Sequence, residues 1–371
     1  MTDTGPIGAA ALPPMDHAAR RDVLRSGIAE SGCAVLLVTA ANDVRYLSGF
    51  TGSNGVLLVG LDADGDMLVT DARYRERVGT LDVATVELER RIETVVAGLG
   101  AAPLGVDIEY VTLAAAQRLE AARDGASLVR TSGLVAALRA TKDAAEIARL
   151  AQACAITADV LRELAERGLQ PDVDERALAR TVEHAFLERG ADGIAFPTIV
   201  ASGPNGASPH HGVSDRPLQV GDLVTIDCGA EVDGYRADMT RTLPVGPVAM
   251  LDAQLAEVHG VVEAANAAGR AAAIVAGDVA AVDRAARQVV EDAGYGEAFV
   301  HPTGHGIGLD VHEAPLVTDR STASLALGTA FTVEPGIYLP GLGGVRIEDS
   351  LVVRPDTVDV LTIMERQLVG P

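Results

Sequence analysis

Tryptophan is absent from this 371-residue chain, and only 3% of its residues are aromatic. Its core must therefore be built from Ala, Val, Leu and Ile. The 48% hydrophobic content suits globular folding and disfavours disorder. Cysteine is also scarce. Cys33, Cys154 and Cys228 form no CxxC pair, lie in apolar stretches and leave at least one thiol unpaired. They read as buried, reduced thiols of a cytoplasmic protein. A nucleophilic role for Cys228 finds no support in its surroundings. Basic residues are outnumbered, 30 Lys and Arg against 52 Asp and Glu, for a net charge of -22. That balance argues against nucleic acid and anionic membranes as partners, and it favours solubility. No run approaches the ~18 apolar residues of a spanning helix. The opening MTDTGPIGAAALPPMDHAARRD lacks a basic stretch followed by an apolar one, so no export signal is expected.

What is present alternates in texture. Residues 1–15 read as a flexible leader rich in Gly, Pro and Ala. Residues 16–135 alternate helical and strand patterns and form an α/β domain. DHAARRDVLRSGIAESG predicts a helix closed by Gly32, CAVLLVTA a buried strand, and the Asp64-Gly65 pair a hairpin between VLLVG and DMLVT. ARYRERVG and LAAAQRLEAARDG predict helices. A boundary falls within 133–142, where SGLVAALRATKDAAEIARL opens a long helix with Thr141 as N-cap. Residues 136–371 predict an α+β domain: two helices, short strands over 192–245, two Ala-rich helices over 250–293, and strands again from about 329.

Five donors stand out in the second half: Asp227 in TIDCG, Asp238 in YRADMTR, His305 in GHGIGLD, Glu334 in TVEPG and Glu348 in RIEDS. Four carboxylates and one imidazole suit a pair of divalent transition metals that share and activate water. The first two can be placed from pattern alone. Asp233-Gly234 favours a two-residue type I′ turn, which sets Val232 opposite Tyr235 and Asp227 opposite Thr240. Asp227 and Asp238 then project from one face as diagonal neighbours. Like charges at 4 Å repel by about 4 kcal/mol at an effective dielectric of 20, so converging acids require protons or cations. The imidazole shifts the choice from Mg²⁺ or Ca²⁺ toward Mn²⁺, Co²⁺, Fe²⁺ or Zn²⁺.

Five of the eight histidines fall in PHHG and HPTGHGIGLDVHE. Glycines flank His305, allowing close backbone approach and unusual dihedrals. The segment lacks a full GxGxxG or a following Lys-Ser/Thr, which argues against nucleotide binding, and HEAP is not HExxH. Three histidines within twelve residues suit a lining that supplies one ligand and proton carriers. GGVRIEDSLVV reads as one alternating strand that puts Arg346 and Glu348 on a shared face, where the guanidinium orients a ligand or grips a substrate carboxylate.

The ordered set IDCG, ADMTRT, GHGIGLDVHE, TVEPGIY and GVRIEDS, with NDVRYLSGFTGSNG and ATKDAAEI upstream, resembles the proline-directed branch of the pita-bread metallopeptidases, aminopeptidase P and prolidase. The resemblance spans nearly the whole chain. It implies a creatinase-like N-terminal domain and a pita-bread catalytic domain. It implies two divalent metals on Asp227, Asp238, His305, Glu334 and Glu348, with Asp238 and Glu348 bridging. His210, His301 and His312 match the histidines that bind substrate and stabilise the tetrahedral intermediate, with His210 taken in preference to His211. Arg346 matches the arginine near the second metal, and Glu334 doubles as proton acceptor. The implied activity is hydrolysis of the Xaa-Pro bond at the N-terminus of dipeptides or short proline-containing peptides by dimetal-activated water. A homodimer is implied as well. Alternatives are a methionine aminopeptidase-type exopeptidase, a metal-free creatinase-like hydrolase, and a non-catalytic peptide-binding protein of the same fold.

Overall fold

The structure, a computed structural model, describes residues 11–368 and divides into two compact units, one of them Pro14–Arg139. Most of the expected leader lies outside the described residues. In its described end, Leu12 packs on the core of the second unit, and the Pro13 carbonyl accepts a bond from Arg149 at 2.9 Å.

In the first unit, α1 (His17–Glu30) starts where the Asp16 carboxylate accepts from the Ala19 N–H, and the chain reverses at Gly32. β1 (Val35–Val38), α2 (Ala41–Ser48), β2 (Gly55–Gly60), β3 (Met67–Thr70), β4 (Thr85–Leu88), α3 (Ile92–Ala97), β5 (Leu104–Asp107), α4 (Leu113–Ala122), β6 (Val129–Thr131) and α5 (Leu134–Arg139) follow. The strands form one mixed sheet in the order β4-β3-β2-β1-β5-β6. Leu37, Leu58, Val69, Val96, Leu104 and Leu119 fill its core. β2 and β3 pair antiparallel as expected, but the connection is a 3-10 turn in which Asp62 accepts from the Gly65 N–H. ARYRERVG departs from its helical pattern and makes only short 3-10 turns. Asp71 takes the Arg73 N–H and two of its guanidinium nitrogens, a local competitor to helix propagation.

The second unit, the rest of the described chain, begins with α6 (Ala144–Arg167) and α7 (Glu175–Glu188). Asp143, not Thr141, caps α6. Its carboxylate accepts from the Glu146 N–H while Glu146 reaches back to the Asp143 N–H, a reciprocal pair that requires three-residue spacing. Thr141 instead bridges to Thr329. Strands β7 (Gly193–Ile194), β8 (Ile199–Ser202), β9 (Leu223–Cys228), β10 (Ala230–Val232), β11 (Tyr235–Arg236) and β12 (Met239–Pro244) follow, then α8 (Ala253–Ala272) and α9 (Val279–Asp292). The last strands are β13 (Gly304–Gly306), β14 (Glu313–Val317), β15 (Ala330–Val333), β16 (Gly336–Leu339), β17 (Gly343–Arg346), β18 (Asp349–Val353) and β19 (Val358–Val360). Strands thus resume at 304, earlier than the pattern suggested.

Every pairing described in this unit is antiparallel, in sheets ordered β11-β10-β7, β12-β9-β8, β14-β13-β15-β18-β19 and β16-β17. α6 and α7 close one core against β9 and β12 through Leu161, Val182, Phe186, Ile226 and Met239. α8 packs Val258 and Val262 on Ile337 and Val345, and α9 packs Val282 on Phe331 and Leu351. The three cysteines are free and buried.

Candidate metal centre

Two hairpins build the centre. The first runs as its residues predict. Asp233 and Gly234 take the positive φ values, 45° and 76°, that a type I′ turn demands. One unbroken register carries Val232 opposite Tyr235 and Asp227 opposite Thr240. No bulge intervenes, so Asp227 and Asp238 lie on one face.

The second hairpin corrects the reading of GGVRIEDSLVV as one strand. β15 pairs with β18 in the five-stranded sheet, and β16 pairs with β17 in a separate ribbon. Both chains change sheet at the same level, one at Glu334-Pro335 and the other at Ile347-Glu348. Val333 faces Asp349 and Gly336 faces Arg346, so the same register sets Glu334 opposite Glu348 at the break. Pro335 has no N–H to continue a ladder there. The fully buried Asn266 of α8 spans the gap, its amide donating to the Val333 carbonyl at 2.9 Å and the Ile347 carbonyl at 3.2 Å. Each carbonyl belongs to the residue just before a glutamate, so one side chain fixes the exit of both.

His305 comes from β13. The flanking glycines answer to close approach rather than to unusual dihedrals. A Cβ on Gly304 would stand 1.9 Å from the Thr332 carbonyl, and one on Gly306 2.1 Å from the Ala314 carbonyl. His305 Nδ1 donates to the Gly306 carbonyl at 3.0 Å, because a carbonyl can only accept. In the neutral ring Nε2 therefore presents a lone pair. It faces Glu334 at 3.4 Å and Asp238 at 3.6 Å. A lone pair aimed at two carboxylates is the geometry of a ligand whose other nitrogen is oriented from behind.

The five donors converge. Asp238, His305 and Glu348 offer ligand atoms all within 4.8 Å of one another. Burial, then Glu348 and Asp227, push the Asp238 carboxyl well above the usual carboxylate range. Burial, then Glu334 and Asp227, do the same to Glu348. Burial raises Glu334 to about 7, against the pull of Arg346. Asp227 Oδ1 and Glu348 Oε1 are buried without a hydrogen-bond partner. Buried carboxylate oxygens left so are costly, and a divalent cation is the partner that this donor chemistry fits.

The surrounding polar groups are strongly committed. Arg346, buried, donates to Asp227 Oδ2 at 2.7 Å, the Tyr338 hydroxyl at 2.9 Å, the Pro209 carbonyl at 3.2 Å and Thr240 Oγ1 at 3.2 Å. Four of its five N–H groups are thus used inside the protein, which suits orienting Asp227 rather than gripping a substrate. The Tyr338 hydroxyl accepts from Arg346 and donates a hydrogen bond to His301 Nε2 at 2.8 Å, since His301 Nδ1 donates to the Pro302 carbonyl. Burial lowers His301 to about 4. Tyr338 carried no role in the sequence. Strand alternation from Glu334 through Gly336 would have put it on the same face. Asn266 left no comparable signal.

His312 sets its ring 4.3 Å from that of His305, edge on, and remains exposed. Burial, then His305 and His210, lower it. The His210 ring also acts electrostatically on His301 and Glu334. His211 is turned elsewhere, with Nε2 on Glu175 at 2.9 Å. His211 is thus committed to Glu175, while His210 follows Pro209, whose carbonyl accepts from Arg346.

Comparison with known proteins places these features in a family. The description Metallopeptidase family M24 matches residues 148–355, and Creatinase/Prolidase N-terminal domain matches residues 20–141. A Xaa-Pro dipeptidase of Pyrococcus horikoshii is 32% identical over 91% of this chain and 94% of its own. The structure of a Xaa-Pro dipeptidase from Bacillus anthracis superposes with a TM-score of 0.90 at 34% identity, covering 96% of this chain and all of that one. An X-Pro aminopeptidase structure from Thermotoga maritima gives 0.83 at 32% identity, covering 92% and 98%.

Proposed function

The chain belongs to metallopeptidase family M24, and from that premise we propose that it is a proline peptidase that hydrolyses the Xaa-Pro bond at the N-terminus of dipeptides or short peptides. The observation that carries the reading is the convergence of Asp227, Asp238, His305, Glu334 and Glu348 around two unpartnered carboxylate oxygens. The proline-directed branch is supported by the upstream Creatinase/Prolidase N-terminal domain and by relatives named Xaa-Pro dipeptidase. Those features weigh against the methionine aminopeptidase reading.

In this reading the five residues hold two divalent ions, manganese first, which supply Lewis-acid charge and lower the pKa of water. The protein's own groups do the rest. Glu334 takes a proton from the attacking water and returns it to the departing proline nitrogen. His312 and His210 donate to the oxyanion as the scissile carbonyl becomes tetrahedral. Arg346 and Tyr338 hold Asp227 and His301 in fixed orientation. A homodimer follows from the family resemblance alone. The cytoplasm is the compartment that three free, buried thiols fit. No helix among the described residues is long and apolar enough to cross a membrane.

The test is hydrolysis of a Xaa-Pro dipeptide and a Xaa-Pro-Yaa tripeptide by chelator-stripped protein before and after Mn²⁺ is restored. Metal-dependent release of the first residue from either peptide supports the reading, and the preferred peptide separates dipeptidase from aminopeptidase. Failure on both, with release of methionine from a Met-Ala peptide, replaces it.

A further inference from the structure

His210 sits on an exposed loop, an awkward place for a group that must meet a reacting atom. The loop is nevertheless held from two sides. Glu175 opens α7 and is fully buried, yet it is not the helix cap, a role that Asp174 fills. Its Oε1 accepts from the Ser202 N–H at 2.8 Å, Ser202 Oγ at 2.7 Å and Asn205 Nδ2 at 2.9 Å. Its Oε2 accepts from the Ser214 N–H at 3.0 Å, Ser214 Oγ at 2.6 Å and His211 Nε2 at 2.9 Å. All six donors come from residues 202–214, the segment that carries His210. A carboxylate only accepts, so the His211 proton sits on Nε2 and points at Glu175.

On the other side of His210, the Pro209 carbonyl accepts from Arg346, the same guanidinium that holds Asp227. The two chain neighbours of His210 are therefore tied to different elements, Pro209 to β17 and His211 to α7. Between two fixed points, the backbone at His210 has little freedom to move.

We propose that Glu175 and His211 are positioning residues for His210, a polar brace that turns one histidine of the pair away from the centre so that the other is held in it. This rests on the reading of His210 as a substrate-facing group. Neither Glu175 nor His211 touches reacting atoms. The brace costs the chain a buried charge, which six hydrogen bonds satisfy.

A double-mutant cycle on the full chain loaded with Mn²⁺ tests it. His211→Ala is expected to lower kcat on a Xaa-Pro substrate about tenfold, the lower end for a group that orients a functional residue, with bound metal unchanged. His211→Gln, whose amide can donate to the same carboxylate oxygen, restores kcat to within about threefold, and in a His210→Ala background His211→Ala has no further effect beyond about twofold. A merely structural role would cost the same in both backgrounds, and that result overturns the proposal. Hydrogen exchange over residues 203–216 gives a readout independent of turnover: faster in His211→Ala and Glu175→Gln, normal in His211→Gln. Unchanged exchange in both loosened variants also overturns it. A wild type that cleaves no Xaa-Pro peptide sinks the proline-peptidase reading, while the exchange experiment still decides whether the brace exists.

Discussion

Glu348 and Asp349 are chain neighbours, both buried, and they face opposite solutions to one problem. Asp349 accepts from Arg241 at 2.8 Å, Arg366 at 2.6 Å and Thr362 at 3.1 Å. Burial pushes it up, but the two arginines outweigh that and hold it below the usual carboxylate range. One residue earlier, where the chain changes sheet, the surroundings differ. Glu348 meets Thr240 through one oxygen, nothing through the other, and is pushed up by burial and its acidic neighbours. The chain thus neutralises one acid with its own cations and leaves the adjacent cluster without them, except for Arg346 at Asp227. Scarcity of arginine does not explain this, since Arg241 lies close enough to donate to the Glu348 carbonyl at 2.6 Å. The charge that the centre lacks is charge that must come from outside the chain.

The hardest blow to that contrast is Asp238→Ala. It should abolish turnover and lower bound metal from about two ions per chain to fewer than about one. Metal content and hydrolysis, measured on the same preparation, decide it, and full activity from a metal-free variant breaks the comparison outright. His312→Ala removes a group of the centre that belongs to neither set of acids. It should keep its metal and lose turnover by about 10²–10⁴. Near-normal turnover removes His312 from the chemistry.

The difference between the two hairpins explains how much of this was legible in the sequence. Asp227 and Asp238 were placed correctly because Asp233-Gly234 fixes the turn, the turn fixes the register, and alternation does the rest. Glu334 and Glu348 stand in the sequence as candidate donors, but their opposition is not legible there. Both hairpins pass from one sheet to another at their acids, but the second turns at 340–342, where no Asp-Gly pair fixes the register. GGVRIEDSLVV has strand periodicity throughout, so nothing local announces the change. The short β13 and β14, with an irregular register between His305 and Gly306, carry too little pattern to be seen. Asn266 and Glu175 act across long stretches of chain, where no spacing rule applies, whereas Tyr338 lay within reach of strand alternation from Glu334. Glu175 answers to donors 27 to 39 residues away.

Stability should separate the two neighbouring acids by sign. Asp349→Asn leaves the buried Arg241 and the half-buried Arg366 without their anion, and breaking such a buried pair costs about 3–5 kcal/mol. Glu348→Gln, in the metal-free protein, removes one repelling group and should gain about 1 kcal/mol. The gain stays below the ~4 kcal/mol of a full charge pair at 4 Å because converging acids do not all carry full charge at once. Denaturant midpoints of both variants without metal check this. A loss in both would mean that the centre is compensated by the protein after all.

Glu175 offers a third way to house a buried acid, with neutral donors and one imidazole in place of arginines or metal. Burial pushes it up, but hydrogen bonds from Ser214, Asn205 and Ser202 prevail and hold it at about 2, against 4.5 for an ordinary glutamate. A carboxyl lowered on folding stabilises fully above its unfolded value and loses that contribution as the pH falls through its folded one. The window is therefore pH 4.5 down to about 2. Between pH 5 and 3 the wild type should lose about 1 kcal/mol more stability than Glu175→Gln, allowing for solvent screening at the loop. At neutral pH, where that contribution is whole, the variant is the less stable protein. Melting curves of both from pH 7 to 3 supply the comparison. Parallel decline would show that the six donors hold a protonated acid, and the resemblance to the arginine-held Asp349 would end there.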